Sequence, residues 1–164
     1  MLFGSSALAC KGTNLQPTHA NLGRVSAATL CLIDQERLAY RLQALRPNGS
    51  LRSIGSRQAS EMVIGAYFGD DSLSGWTPIQ RIAASAYAAR ARSLSAGQNI
   101  GWGSGPLATP LAMVRAWMLS PPHREIMLSG GYRDIGVGVA PAAPQRPSDG
   151  LPAATYVVEF ASRH

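Results

Sequence analysis

The sequence predicts an α+β fold in which helices cover a small, mainly antiparallel sheet. Three observations point there. Apolar residues recur at helical spacing through the first half of the chain, strand patterns are confined to the second half, and the two barely alternate. With 164 residues, 46% of them apolar and 15% charged, the chain suits one domain able to bury its own core.

The elements follow in order. Residues 10–25 are polar, with Pro17 and Asn21, and read as an N-terminal arm. From Ser26, a candidate N-cap, the positions Leu30, Ile33, Leu38, Leu42 and Leu45 mark a first helix. The stretch RPNGS (46–50) stops it; its NGS is formally a glycosylation sequon but reads as a turn. A second helix runs from about Ser50 to Gly65, presenting Leu51, Ile54, Met62 and Val63 to the core. GDDSLSG (69–75) is loop. Thr77-Pro78 opens a short helix reaching about Tyr87, with proline at the favoured first turn. Strands are predicted over Asn99–Gly103, DIGVGVA (134–140) and ATYVVEFAS (154–162), the last two joined by a proline-rich connector. Between the first and second strands, Thr109 caps a helix through Leu119. Ser120 caps another, with Pro121 and Pro122 at its start.

Composition excludes several functions. No apolar run approaches the ~20 residues of a membrane-spanning helix. A net charge of +6, carried by scattered arginines with Lys11 the only lysine, favours anionic surroundings. Neither a basic stripe nor a reading motif accompanies it, so nucleic acid is not an expected partner. An anionic or lipid component of a cell envelope is. Oligomeric state leaves no mark in the sequence.

ALAC (7–10) carries the small-residue spacing of a signal-peptidase cut, so residues 1–9 read as a signal-peptide remnant or trimmed start. Export would place Cys10 and Cys31 in an oxidising compartment, secreted or periplasmic, where a bridge between them persists and ties the arm to the first helix. Two readings compete: a lipid-modified Cys10, and two free thiols in a cytosolic protein.

Five stretches in order resemble the bacterial branch of the CAP superfamily, the SCP-like cysteine-rich secretory, venom antigen and pathogenesis-related proteins. They are 28–63, YFGDDSLSGWTPIQRIAASAY (67–87), SAGQNIGWGSG (95–105), VRAWMLSPPHREIML (114–128) and YRDIGVGVA (132–140). The resemblance implies a three-layer α–β–α sandwich over residues 26–164, secretion, and an N-terminal disulfide of the subgroup's kind. It also implies a cleft. In the family a histidine from an FSH-like loop, the glutamate of GEN and the histidine of GHR meet there. Carried onto this chain, those positions fall on Asp70, Gln98 beside Asn99, and His123. The helix around Trp117 has no acid.

With one imidazole left, a two-histidine metal site cannot be assembled, and His19 and His164 have no natural route to His123. A weak divalent site would need Asp70 to face His123; no other cofactor is expected. Gln98 reads as a glutamate position that has lost both its charge and its partner, because an unpaired buried carboxylate is costly. Gly97 and Gly103 read as positive-φ or close-approach positions. Trp76, in a loop, and Trp102 are candidates for lining a ligand groove, whereas Trp117 reads as core. The expected function is a secreted, non-catalytic domain binding an apolar or amphipathic ligand or an envelope partner. The alternatives are a metal-dependent or acid–base hydrolase using His123 with Asp70, and an inert structural module.

Overall fold

A computed structural model of the chain describes residues 9–147 and 149–164. Of the expected signal-peptide remnant, residues 1–8 lie outside the described residues. The elements are α1 (Leu22–Ala39), β1 (Arg46–Pro47), α2 (Gly49–Ile64), α3 (Pro78–Ala83), β2 (Leu94–Ser104), α4 (Pro110–Leu119), α5 (Pro121–Met127), β3 (Asp134–Ala140) and β4 (Ala153–Arg163). Single 3₁₀ turns lie at Ala86–Ala88 and Gly105–Ala108.

The sheet runs in the order β1-β3-β4-β2. Only the two-residue β1 is parallel to its neighbour; β3–β4 and β4–β2 are antiparallel. Side chains alternate across the strands, and each parity has its own helical layer. Ile135, Val137, Val139, Tyr156, Val158 and Phe160 pack with Val25 and Ile33 of α1, Met113 and Trp117 of α4, and Met127 of α5. The other parity, including Val157 and Ala161, meets Leu51, Ile54, Ala59 and Met62 of α2 and Ile82 of α3. The result is the expected three-layer α–β–α sandwich.

Two glycines of β3 set the spacing of one layer. A Cβ on Gly136 would stand 2.1 Å from the backbone nitrogen of Arg52, and one on Gly138 would stand 2.1 Å from the carbonyl carbon of Gly55. The α2 backbone therefore lies directly on the strand, and only glycine fits.

Local chemistry explains most boundaries. The Asn48 side chain accepts from the amides of Ser50 and Leu51, capping α2, so the sequon asparagine is a helix cap. Thr77 and Gln80 form a reciprocal capping box behind Pro78. Thr109 accepts from the amide of Ala112 at the start of α4. The bridge between Cys10 and Cys31 is formed, tying the arm to α1.

Several expectations need correction. The first helix begins at Leu22, inside the stretch taken as arm, and Ser26 is buried within it rather than capping it. Asn21 instead uses its side chain to accept from the amide of Thr18. That helix ends at Ala39, so Leu42 and Leu45 lie beyond it. Arg46–Pro47 is a short strand rather than a simple stop, because the amide of Arg46 donates to Arg133 and that of Asn48 to Ile135. The helix opened by Thr77-Pro78 closes at Ala83 and gives way to the 3₁₀ turn. β2 extends well beyond the predicted five residues because it pairs with β4 along its whole length. Ser120 makes no side-chain cap on α5; its hydroxyl is engaged by His123. Gly97 and Gly103 are close-approach positions, with a Cβ at 2.5 Å from the Tyr132 hydroxyl and 2.4 Å from the Leu107 carbonyl oxygen respectively.

Candidate functional site

Gln98 and Asn99 are neighbours on β2, so their side chains leave opposite faces of the sheet. This parity separates Gln98 from Asn99. Gln98 turns toward α2 and α3. Directly across the strand pair stands Glu159 of β4, wholly buried, which accepts a hydrogen bond from Gln98 Nε2 at its Oε1, 2.8 Å away. Arg81 of α3 brings Nη2 to 3.9 Å from the same oxygen. That guanidinium also donates from Nη2 to the Asp70 carbonyl (2.9 Å) and from Nη1 to the Trp76 carbonyl (2.7 Å), fastening the α2–α3 loop to α3.

The neutrality of Gln98 therefore has a different cause from the one the sequence offered. The acid is present, one strand away. A second carboxylate at position 98 would sit in hydrogen-bond contact with Glu159, where two negative charges out of water repel strongly. Glutamine supplies a donor to the existing acid instead. Burial pushes the Glu159 carboxyl up to about 7, and the nearby charge of Asp70 adds to the rise, against the Gln98 hydrogen bond and the Arg81 charge. Three buried atoms of the group, Glu159 Oε2, Gln98 Oε1 and Arg81 Nε, have no hydrogen-bond partner.

More side chains pin the same loop. Gln58 Nε2 donates to the Tyr67 hydroxyl (3.1 Å) and the Asp71 carbonyl (3.2 Å). Tyr67 donates in turn to Glu61 (2.6 Å), and burial with that carboxylate pushes its hydroxyl up to about 12. A cleft of about 340 Å³ opens between this loop and the helices, lined by Arg57, Gln58, Glu61, Trp76 and Arg81 among others. Trp76 is 48% exposed, and Ile64, Phe68, Leu73 and Ile79 are exposed on the same two helices and their loop.

Asn99 belongs to the other face, where it meets the backbone of His123. Asn99 is buried and donates from Nδ2 to the His123 carbonyl (3.0 Å), while the ring Nδ1 shares a hydrogen bond with Ser120 Oγ (2.7 Å). The structure thus brings Asp70 and Gln98 together around Glu159 and Arg81, and gives His123 separate partners. Trp117 is core, donating to the Ile100 carbonyl. Trp102 is half-buried, opposite Thr155. For a metal ion the donor set does not fit: Gln98 offers an amide, the His123 ring nitrogen Nδ1 is engaged by Ser120, and no three ligating side chains cluster among the described residues.

Sequence reasoning passed over Glu159 and Arg81. One signal was available: Glu159 is the only charge in the apolar run ATYVVEFAS.

None of the curated proteins compared with the chain is significantly similar to it. Solved structures are. An outer surface protein of Borrelia burgdorferi matches with a TM-score of 0.60 at 22% identity, covering 82% of this chain and 90% of that one. An extracellular protein containing an SCP domain from Bacillus anthracis gives 0.65 at 19%, over 88% of this chain and 43% of its own. A cysteine-rich secretory protein from Staphylococcus aureus gives 0.62 at 18%, over 88% and 40%. At these identities the likeness establishes the fold, and the chain spans less than half of the latter two proteins. The family model CAP, the cysteine-rich secretory protein family, matches residues 30–159. The chain belongs to the CAP family.

Proposed function

We propose that this chain is an exported, non-catalytic CAP domain that binds amphipathic anionic molecules of the cell envelope on its α2–α3 face. One observation carries the reading. Five large apolar side chains (Ile64, Phe68, Leu73, Trp76 and Ile79) stand exposed on the two helices and the loop between them. Beside them lies a cleft containing Arg57 and Arg81. Ile64 and Leu73 line one shallow cleft and Trp76 its neighbour, the two sharing Arg57 and Glu61, and an exposed apolar patch marks a contact surface more often than scattered residues do. The charge of +6 supplies attraction to an anionic head or surface. The formed Cys10–Cys31 bridge fits an oxidising compartment, secreted or periplasmic. Family resemblance adds that some CAP proteins hold sterols or fatty acids in grooves.

The hydrolase alternative draws its support from the 2.7 Å contact of His123 Nδ1 with Ser120 Oγ. Its orienting acid would be Asp70, in the loop that Arg81 fastens. Flotation with vesicles of phosphatidylglycerol and phosphatidylcholine, followed by Trp76 fluorescence, tests the reading. Binding with a blue shift is expected, weakened about tenfold or more in Leu73→Asp or Trp76→Ala, since about 1.4 kcal/mol of lost burial is a factor of ten. A protein that ignores vesicles and free fatty acid alike would be the inert module. Ester hydrolysis lost in Ser120→Ala would favour the enzyme.

A further inference from the structure

A second cleft, of about 410 Å³, lies where β1 and β3 begin and β4 ends, lined by Gln43, Ala44, Arg46, Arg133, Arg163 and His164. Its three guanidinium groups are each anchored by the protein itself. Arg46 donates from Nε to Asp134 (2.9 Å). Arg133 donates from Nη1 to the carbonyls of Gly130 (2.6 Å) and Tyr132 (3.0 Å). Arg163 donates from Nη1 to the Tyr87 carbonyl and lies 4.7 Å over the Tyr87 ring. His164 is held at the rim by backbone pairing with Ser93 in both directions.

The kind of anchor matters. A backbone carbonyl orients a guanidinium without cancelling its charge. Among the described residues Asp134 is the only carboxylate bonded to these arginines, and it also accepts from the Tyr87 hydroxyl (2.7 Å). Those bonds leave over both Nη atoms of Arg46, whose side chain is 74% exposed, and the Nη2 atoms of Arg133 and Arg163. Behind them stands Arg37, only 1% exposed, its guanidinium likewise held by carbonyls, those of Gln43, Met127 and Ser129. Burial lowers the Arg37 pKa, the Asp34 carboxylate opposes that fall, and the charge of Arg133 adds a smaller contribution to it. A bound anion with several acceptor oxygens would supply the acceptors that these left-over N–H groups lack, and the paired N–H groups of a guanidinium match two oxygens of one phosphate.

We propose that this cleft binds a phosphate group, as a free or polymer-borne phosphate or as a lipid headgroup, through Arg46, Arg133 and Arg163. It is a site separate from the α2–α3 face and does not depend on it. The arginine Nε–Hε resonances, followed by NMR at low ionic strength, test it in two arms. In the first, inorganic pyrophosphate is expected to shift the Arg46, Arg133 and Arg163 signals to saturation. Arg133→Gln, which removes an exposed side chain bonded only to carbonyls, should weaken binding about tenfold. Arg115→Gln, an exposed arginine of α4, and Trp76→Ala should leave it unchanged. In the second, vesicles containing phosphatidic acid are compared for wild type and Arg133→Gln. Arg133-dependent binding of pyrophosphate assigns the site to free or polymer-borne phosphate, and Arg133-dependent binding of vesicles alone assigns it to a headgroup. No saturable shift in either arm, or equal weakening by Arg115→Gln, overturns the proposal.

Discussion

The two faces of β2 solve different problems with alternate residues of one short sequence. Toward α4 and α5, Gly97, Gly101 and Gly103 let neighbours press against the strand; a Cβ on Gly101 would meet Met113 Sδ at 2.4 Å. Asn99 is the one large side chain among them, and it anchors the start of α5 through the His123 carbonyl. Toward α2 and α3, Ala96 and Ile100 belong to the apolar core while Gln98 meets a buried acid. One face is set by close approach, the other by charge. Packing sets a steric limit that no change of solvent relaxes, whereas the stability of the charged face depends on pH.

Packing should dominate the size of the effects. Gly138→Val would drive a side chain into the α2 backbone at 2.1 Å, which cannot yield as a flexible side chain does. A loss of more than about 3 kcal/mol, or no folded protein, is expected in urea unfolding.

The charged face predicts a pH profile of somewhat smaller size. Glu159 is raised from 4.5 to about 7, so the folded protein holds this proton more tightly than the unfolded chain. Its contribution is complete below about pH 4.5 and is lost as pH rises through about 7, an effect on the order of 3 kcal/mol or less. Glu159→Gln should flatten that part of the stability curve; an unchanged slope would place the titrating group elsewhere. The smallest effect belongs to Gly101→Ala, where the atom in the way is the movable end of Met113. A cost of about 1 kcal/mol, well below that of Gly138→Val, is expected by the same urea measurement.

Much of this was legible in the sequence, because periodicity and caps are local. DIGVGVA and the helix from Thr109 to Leu119 mark their elements to within a residue, and Thr77-Pro78 marks the start of α3. The family order of five motifs carried the layer arrangement. What could not be read was register. That Gln98 faces Glu159, 61 positions away, follows from pairing eleven residues of β2 with eleven of β4, and no local signal fixes that alignment. Arg81 was hidden for a similar reason: α3 must first dock on the sheet before its guanidinium reaches both the loop carbonyls and the acid. The start of α1 was missed because Asn21 spends its side chain on Thr18, leaving no conventional cap to see.

Position 98 is neutral because position 159 holds the charge. A four-protein cycle in urea at pH 8 tests it: wild type, Gln98→Glu, Glu159→Gln, and the double exchange Gln98→Glu with Glu159→Gln. Gln98→Glu alone should lose about 3 kcal/mol, most of which the double exchange restores, because one carboxylate and one amide again face each other. A double exchange whose loss equals the sum of the two single exchanges would mean that positions 98 and 159 do not interact, and the charge at 159 would then not explain the amide at 98.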